Sequence, residues 1–140
     1  MARQQRRLRA ATELPVVIQK PSNYSKEKPV FSFEYLEDKL LAKPKLNQDL
    51  YRDLLVRLKS LSQLGWNEIN KSQKHSFGYE LIPTGCFIPK MPATITPDTD
   101  KLMVFRADGA NHVFAGFRRD DVFFIVFVEA DFNKLYRHSR

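Results

Sequence analysis

Arg106, Arg118, Tyr136 and His138 are the side chains of this sequence whose types fit work on a phosphodiester without a metal. Cleavage of RNA through its 2′-hydroxyl needs a base for the hydroxyl proton, cations for the charge of the phosphorane, and an acid for the departing 5′-oxygen. Arginines on rigid strands suit the second task, because a guanidinium meets phosphate oxygens two at a time. Tyr136 fits stacking on an exposed base or donating a proton, and His138 titrates in a range that serves as base or acid. Arg119, Arg137, Lys71, Lys74 and His75 would hold further phosphates. Taken singly, each has a plainer reading: Arg106, Arg118 and Arg119 pair with Asp108, Asp120 and Asp121 at turns, Tyr136 caps the core, and His75 is a surface histidine. The expectation of a site rests on these groups, with His112, leaving the strand ends and turns of one small sheet on a single surface.

Other chemistries lack their residues or the spacing. There is no phosphate-binding glycine loop ahead of a lysine, no paired-glycine dinucleotide fingerprint and no HExxH pair. Asp120, Asp121, Glu129 and Asp131 are close in sequence, yet a strand over 122–129 carries Glu129 to the far end from Asp120, whereas two-metal sites need converging carboxylates. Cys86 is the only cysteine, which rules out an intramolecular disulfide and a zinc site of paired thiolates. It has no histidine at a telling distance, so a thiol nucleophile has no positive sign. Neither a metal nor a small-molecule cofactor is expected.

At 140 residues the chain fits one domain with a genuine core. A net charge of +7 and a pI near 9.6 lean toward a polyanionic partner. Cysteine usage points to a reducing, cytoplasmic compartment. No apolar run reaches the ~18–20 residues of a membrane span, and the N-terminus lacks the apolar core of a signal peptide. Residues 1–29 are rich in arginine and lysine and broken by Pro15, Pro21 and Pro29, which reads as a flexible basic arm; a mitochondrial transit peptide has a similar composition.

The elements that must position the candidate residues follow from periodicity. Three runs of β-branched and aromatic residues, 101–106, 112–117 and 122–129, are separated by Asp108-Gly109 and Arg118-Arg119-Asp120, the pattern of an antiparallel meander. Phe123, Ile125 and Phe127 alternate with Val122, Phe124, Val126 and Val128, so the last strand is apolar on both faces and belongs inside a sheet. Val30 to Tyr35 alternates like a strand with one aromatic face. A link over 42–46 leads to Asn47 as an N-cap, and Leu50, Leu54, Leu58 and Leu61 mark the buried face of a helix from Gln48 to about Ser62, with Tyr51 and Leu55 beside them. Arg52, Arg57 and Lys59 fall mostly on its other side, and Gly65 is its natural stop. Trp66 and Ile69 predict a second, shorter helix ended by Gly78, and residues 79–82 a strand. Prolines at 83, 89, 92 and 97 make 83–100 a loop or edge segment. The expected fold is α+β: a basic arm over 1–29, then one domain over 30–140 in which a long and a short helix cover one face of a small antiparallel sheet.

The order strand, helix pair, meander, with DVFFIVFVEAD followed by LYRH, resembles the RelE/ParE/YoeB superfamily of toxins from type II toxin–antitoxin modules. The resemblance covers roughly residues 30–138 and is carried by VFRADG, by the strand ending GFRR and by the terminal Tyr and His. It implies a metal-independent endoribonuclease acting on mRNA at the ribosome and neutralised by an antitoxin protein. Arg106 and Arg118 would hold phosphate or stabilise the transition state, and Tyr136 and His138 would orient the nucleotide and move protons. The chain departs from the family in its length and basic arm, its proline-rich segment at 83–100, and its Tyr-Arg-His spacing. The alternative function is a non-enzymatic basic module that binds nucleic acid or an acidic protein, such as a phage or defence-related factor.

Overall fold

The structure is a computed structural model and describes residues 27–41, 48–73, 76–108, 112–129 and 135–137. Strand β5 (Val122–Val128) is apolar along its whole length because both of its faces are covered. Beside it, β4 (Val113–Arg119) and β3 (Lys101–Arg106) form the antiparallel meander, and β2 (Tyr79–Pro83) closes that side with Pro83 ending an edge strand. On its other side β5 takes β1 (Val30–Ser32) in parallel, giving the order β1-β5-β4-β3-β2. The class is α+β with a small sheet, and the sheet is mixed where a purely antiparallel one was expected. No hairpin constrains β1, since most of the chain lies between it and β5. The Asp121 carbonyl fixes its place by accepting both the Val30 N–H at 3.0 Å and the Trp66 indole N–H at 3.2 Å.

Helices α1 (Gln48–Leu61) and α2 (Trp66–Lys71) cover one face. Leu50, Leu54, Leu58, Leu61, Trp66 and Ile69 bury themselves there against Phe105, Phe114, Phe123 and Ile125, as the three- and four-residue spacing requires. Leu55 is on the outer side, 64% exposed. Gly65 does not end α1. The helix closes at Leu61 through a turn in which the Gln63 and Leu64 N–H groups reach the Ser60 and Leu61 carbonyls, and Gly65 instead leads into α2, giving its N–H to Glu68 Oε1 at 2.9 Å. Likewise α2 ends at Lys71, well before Gly78, whose backbone lies so close to the Ser72 carbonyl that a Cβ would overlap it.

The opposite face is covered by irregular chain. Phe87, Met91 and Ile95 from the proline-rich segment, with Leu135 and Tyr136, pack on Leu102, Val104, Val126 and Phe127. The Ile88 N–H donates to the Leu135 carbonyl at 2.7 Å, and Phe87 bridges Tyr136. This segment is therefore a lid on the core.

Two local departures from strict alternation have clear causes. Ala115 pairs with Phe127 and Gly116 with Ile125, so Val126 is an extra residue in β5, a β-bulge. Val126 and Phe127 consequently both pack on the lid side, and Val128 rejoins Ile125 on the helix side, where unbroken alternation would have put Phe127. The free Val126 carbonyl accepts the Glu37 N–H at 2.8 Å. Strand β1 stops at Ser32, short of the expected Tyr35, because Ser32 Oγ takes the Glu34 N–H and the Phe33 carbonyl takes the Leu36 N–H, making a turn. Phe33 is then 51% exposed and Tyr35 crosses to stack on Phe117 at 6.0 Å, so the single aromatic face does not form. Before β1, Pro29 is buried and the Glu27 carbonyl accepts the Trp66 backbone N–H at 2.9 Å, so the packed region begins before Val30. The rest of the arm, 1–26, the link 42–46 and Asn47 lie outside the described residues.

Candidate functional site

The sheet has two polar ends, and the expected residues divide between them. At one end β3 finishes with Arg106, which pairs with Val113 at the start of β4. Beyond it the hairpin is closed by Asp108 and His112: one Asp108 oxygen accepts the His112 backbone N–H at 3.1 Å, and the other lies 2.9 Å from His112 Nδ1. The His112 carbonyl in turn accepts the Ala107 N–H at 2.8 Å. The Asp108 side chain is only 6% exposed and that of His112 19%, so the carboxylate is enclosed and the imidazole reaches the surface.

Arg57 of α1 stands over this end from the helix side. Its guanidinium donates to the Ser76 carbonyl at 2.7 Å and lies 5.2 Å from the Phe77 ring centre. Burial lowers its pKa, the positive charge of Arg106 lowers it further, and the Asp108 carboxylate opposes both. On the lid side Tyr136 sits against Phe87, with the rings 5.6 Å apart. Burial pushes the Tyr136 hydroxyl up to about 12, assisted by the charges of Glu80 and Glu129 and opposed by Arg106. Arg106 thus lies within electrostatic reach of Arg57 on one side and Tyr136 on the other. Glu129 is 2% exposed and gives its N–H to the Val113 carbonyl, which places a buried carboxylate at the same end.

Arg118 and Arg119 belong to the other end. Five residues separate Arg118 from Val113, the partner of Arg106, which is roughly 17 Å along β4 at about 3.4 Å per residue. The faces differ as well. Arg118 lies over the Trp66 ring at 4.2 Å on the helix side and donates through Nε to the Asp120 carbonyl at 2.6 Å. Burial lowers its pKa, against the raising influence of Tyr79, Asp121 and Asp120. Arg119 sits 5.5 Å and 5.4 Å from the Phe117 and Phe124 ring centres. Asp120, at φ 59°, makes the left-handed turn between β4 and β5.

The expected convergence on one surface is therefore corrected. Arg106, Tyr136 and the exposed Arg137 share an end, while Arg118 and Arg119 are separated from them because a seven-residue strand puts its two ends too far apart for side chains to meet. The Tyr136 ring is 8% exposed and packed, so it has no face to offer a nucleotide base. Lys71 is exposed at the end of α2, on the approach to the loop whose Ser76 holds Arg57. His138, Lys74 and His75 lie outside the described residues. Arg57, Asp108 and Glu129 are the members of this end that the sequence reading left out. The helix periodicity puts Arg57 on the face away from the core, and no local signal marks it as a neighbour of Arg106, while Asp108 enters only as a turn partner of Arg106. The four-residue spacing of Asp108 and His112 is a signal that could have found the pair.

Among the described residues no group of three or more His, Cys, Asp or Glu side chains is placed to hold a metal ion, and no helix is long and apolar enough to cross a membrane. Compared with protein-family models, curated proteins and solved structures, the chain matches none.

Proposed function

We propose that the protein is a metal-independent endoribonuclease, a toxin of a toxin–antitoxin module that acts on mRNA in the cytoplasm, with its active centre at the Arg106 end of the sheet. The observation that carries this reading is the Asp108–His112 pair at the sheet end where β3 finishes in Arg106, with the Arg57 guanidinium of α1 near enough to feel the charges of both Arg106 and Asp108. Guanidiniums at this end are suited to stabilising a phosphorane, which is an anion. In this reading Arg57 and Arg106 stabilise the phosphorane. Tyr136, held protonated through neutral pH, serves as a donor and not as a base. Arg137 and Lys71 lead the RNA strand toward the centre. An antitoxin that neutralises the protein would cover this cationic end.

The test is cleavage of translated mRNA, with growth arrest on expression, for the wild type and for Arg106→Ala. Removing one charge-stabilising donor typically lowers the rate by about 10²–10³-fold. A wild-type protein that neither arrests growth nor cleaves mRNA sinks the reading.

The placement of Arg118 and Arg119 at the far end favours a second reading, a basic module that binds nucleic acid along the sheet without cutting it. For that module, the logarithm of the affinity for RNA falls linearly with log salt, with a slope near −0.7 per phosphate contacted. A flat salt response excludes it.

A further inference from the structure

We propose that His112 is the general base of this centre and that Asp108 is the residue that positions it. The inference rests on the endoribonuclease reading and adds the base that takes the 2′-hydroxyl proton.

The chemistry follows from two hydrogen bonds. An ionised carboxylate is an acceptor only. Asp108 accepts the His112 backbone N–H with one oxygen and faces Nδ1 at 2.9 Å with the other, so the ring nitrogen toward it carries the proton. The neutral imidazole is then the Nδ1–H tautomer, and Nε2 keeps its lone pair. Two-point attachment also fixes the ring's direction. Asp108 is enclosed while His112 retains a surface edge, the arrangement in which a buried carboxylate orients an imidazole that meets substrate. Holding the ring as well as the backbone is what a positioning residue adds to a turn-closing one.

The charged and titratable groups around this end come from every element packed on it. They are Arg57 of α1, Arg106 of β3, Glu80 of β2, Glu129 after β5 and Tyr136 of the C-terminal segment. In the reaction the 2′-hydroxyl gives its proton to His112 Nε2, and the 2′-oxygen bonds to the adjacent phosphorus. The bond from phosphorus to the 5′-oxygen breaks, and that oxygen takes a proton from the Tyr136 hydroxyl. The products are a 2′,3′-cyclic phosphate and a 5′-hydroxyl end. The Tyr136 phenolate recovers a proton through solvent as the His112 imidazolium loses one.

The experiment measures cleavage rate against pH with the full chain and translated mRNA, for wild type, His112→Ala and Asp108→Asn, with imidazole ¹⁵N NMR of the wild type and Asp108→Asn. His112→Ala is expected to lose about 10²–10⁴-fold and the limb that an imidazole base gives to the profile. Asp108→Asn keeps an acceptor for the backbone N–H, loses activity to a lesser extent, and releases the ring from the Nδ1–H tautomer. If the wild type cleaves while His112→Ala cleaves as fast with the same profile, the inference is overturned and the endoribonuclease reading survives. If His112→Ala does not fold, a wild-type ring found in the Nε2–H tautomer overturns it equally. A wild type that does not cleave removes both.

Discussion

Two arginines of similar sequence context, Arg106 and Arg118, do different things. Arg118 covers the indole of Trp66, the only tryptophan of the chain and itself fully buried, and its Nε is spent on the Asp120 carbonyl. A guanidinium over an indole contributes about 0.5–2 kcal/mol, more as the pair is desolvated. Arg118→Ala should therefore lower the unfolding free energy by about 1 kcal/mol and shift the tryptophan emission to the red, both read in one urea titration; an unchanged emission maximum contradicts the role assigned to it. Tyr136 gives a second prediction, in alkaline stability. An unperturbed tyrosine titrates at 10.0 and this one at about 12, so the native state holds the proton more tightly than the unfolded chain. The resulting contribution is present in full below pH 10 and is lost as pH rises toward 12, about 2–3 kcal/mol over that window. Tyr136→Phe should remove that part of the decline between pH 10 and 12, measured by denaturant unfolding against pH. An identical slope in the variant contradicts it. Residue types do not show the difference: the Trp66 ring beneath Arg118 comes from a distant part of the chain, whereas Asp108, two residues from Arg106, is a local turn partner that the sequence does suggest.

At the scale of elements, the bulge in β5 decides how the core closes. It lets Val126 and Phe127 both face the lid, and it brings Gly116 of β4 against the backbone of Phe124 so closely that a Cβ would overlap the Phe124 carbonyl oxygen and press on its carbon. Backbone cannot yield as the end of a flexible side chain can. Gly116→Ala should cost about 1–3 kcal/mol or more, the range for overpacking a well-filled interior, seen as a lower denaturation midpoint; a variant as stable as wild type would mean that the ladder is not so tight there. Periodicity made much of this level legible. Leu50, Leu54, Leu58 and Leu61 carry the 3.6-residue repeat that buries α1, and the apolar run of β5 announces a strand covered on both faces. What it could not show was a single inserted residue, since a bulge leaves composition unchanged and only reverses which side Phe127 takes. Strand β1 ended early for a comparable reason. One hydroxyl, Ser32 Oγ, offers the Glu34 N–H an alternative to the ladder.

For the whole molecule, the chain's net charge of +7 pointed to a polyanionic partner, but charge alone does not say where it would sit. The fold places cations at both ends of the sheet and, among the described residues, the Asp108–His112 pair at the Arg106 end. Three of the expected site residues, Arg106, Tyr136 and Arg137, lie at that end. Arg118 and Arg119 do not, because the meander that was so plain in the sequence is also what holds its two ends about 17 Å apart. The central claim, that the Arg106 end is an active centre for metal-independent RNA cleavage, is tested most directly by incubating the purified protein with translated mRNA and mapping the 3′ ends. Wild type should leave 2′,3′-cyclic phosphate ends and Arg106→Ala should leave about 10²-fold fewer. Intact mRNA with the wild type, or equal cleavage by Arg106→Ala, would contradict it.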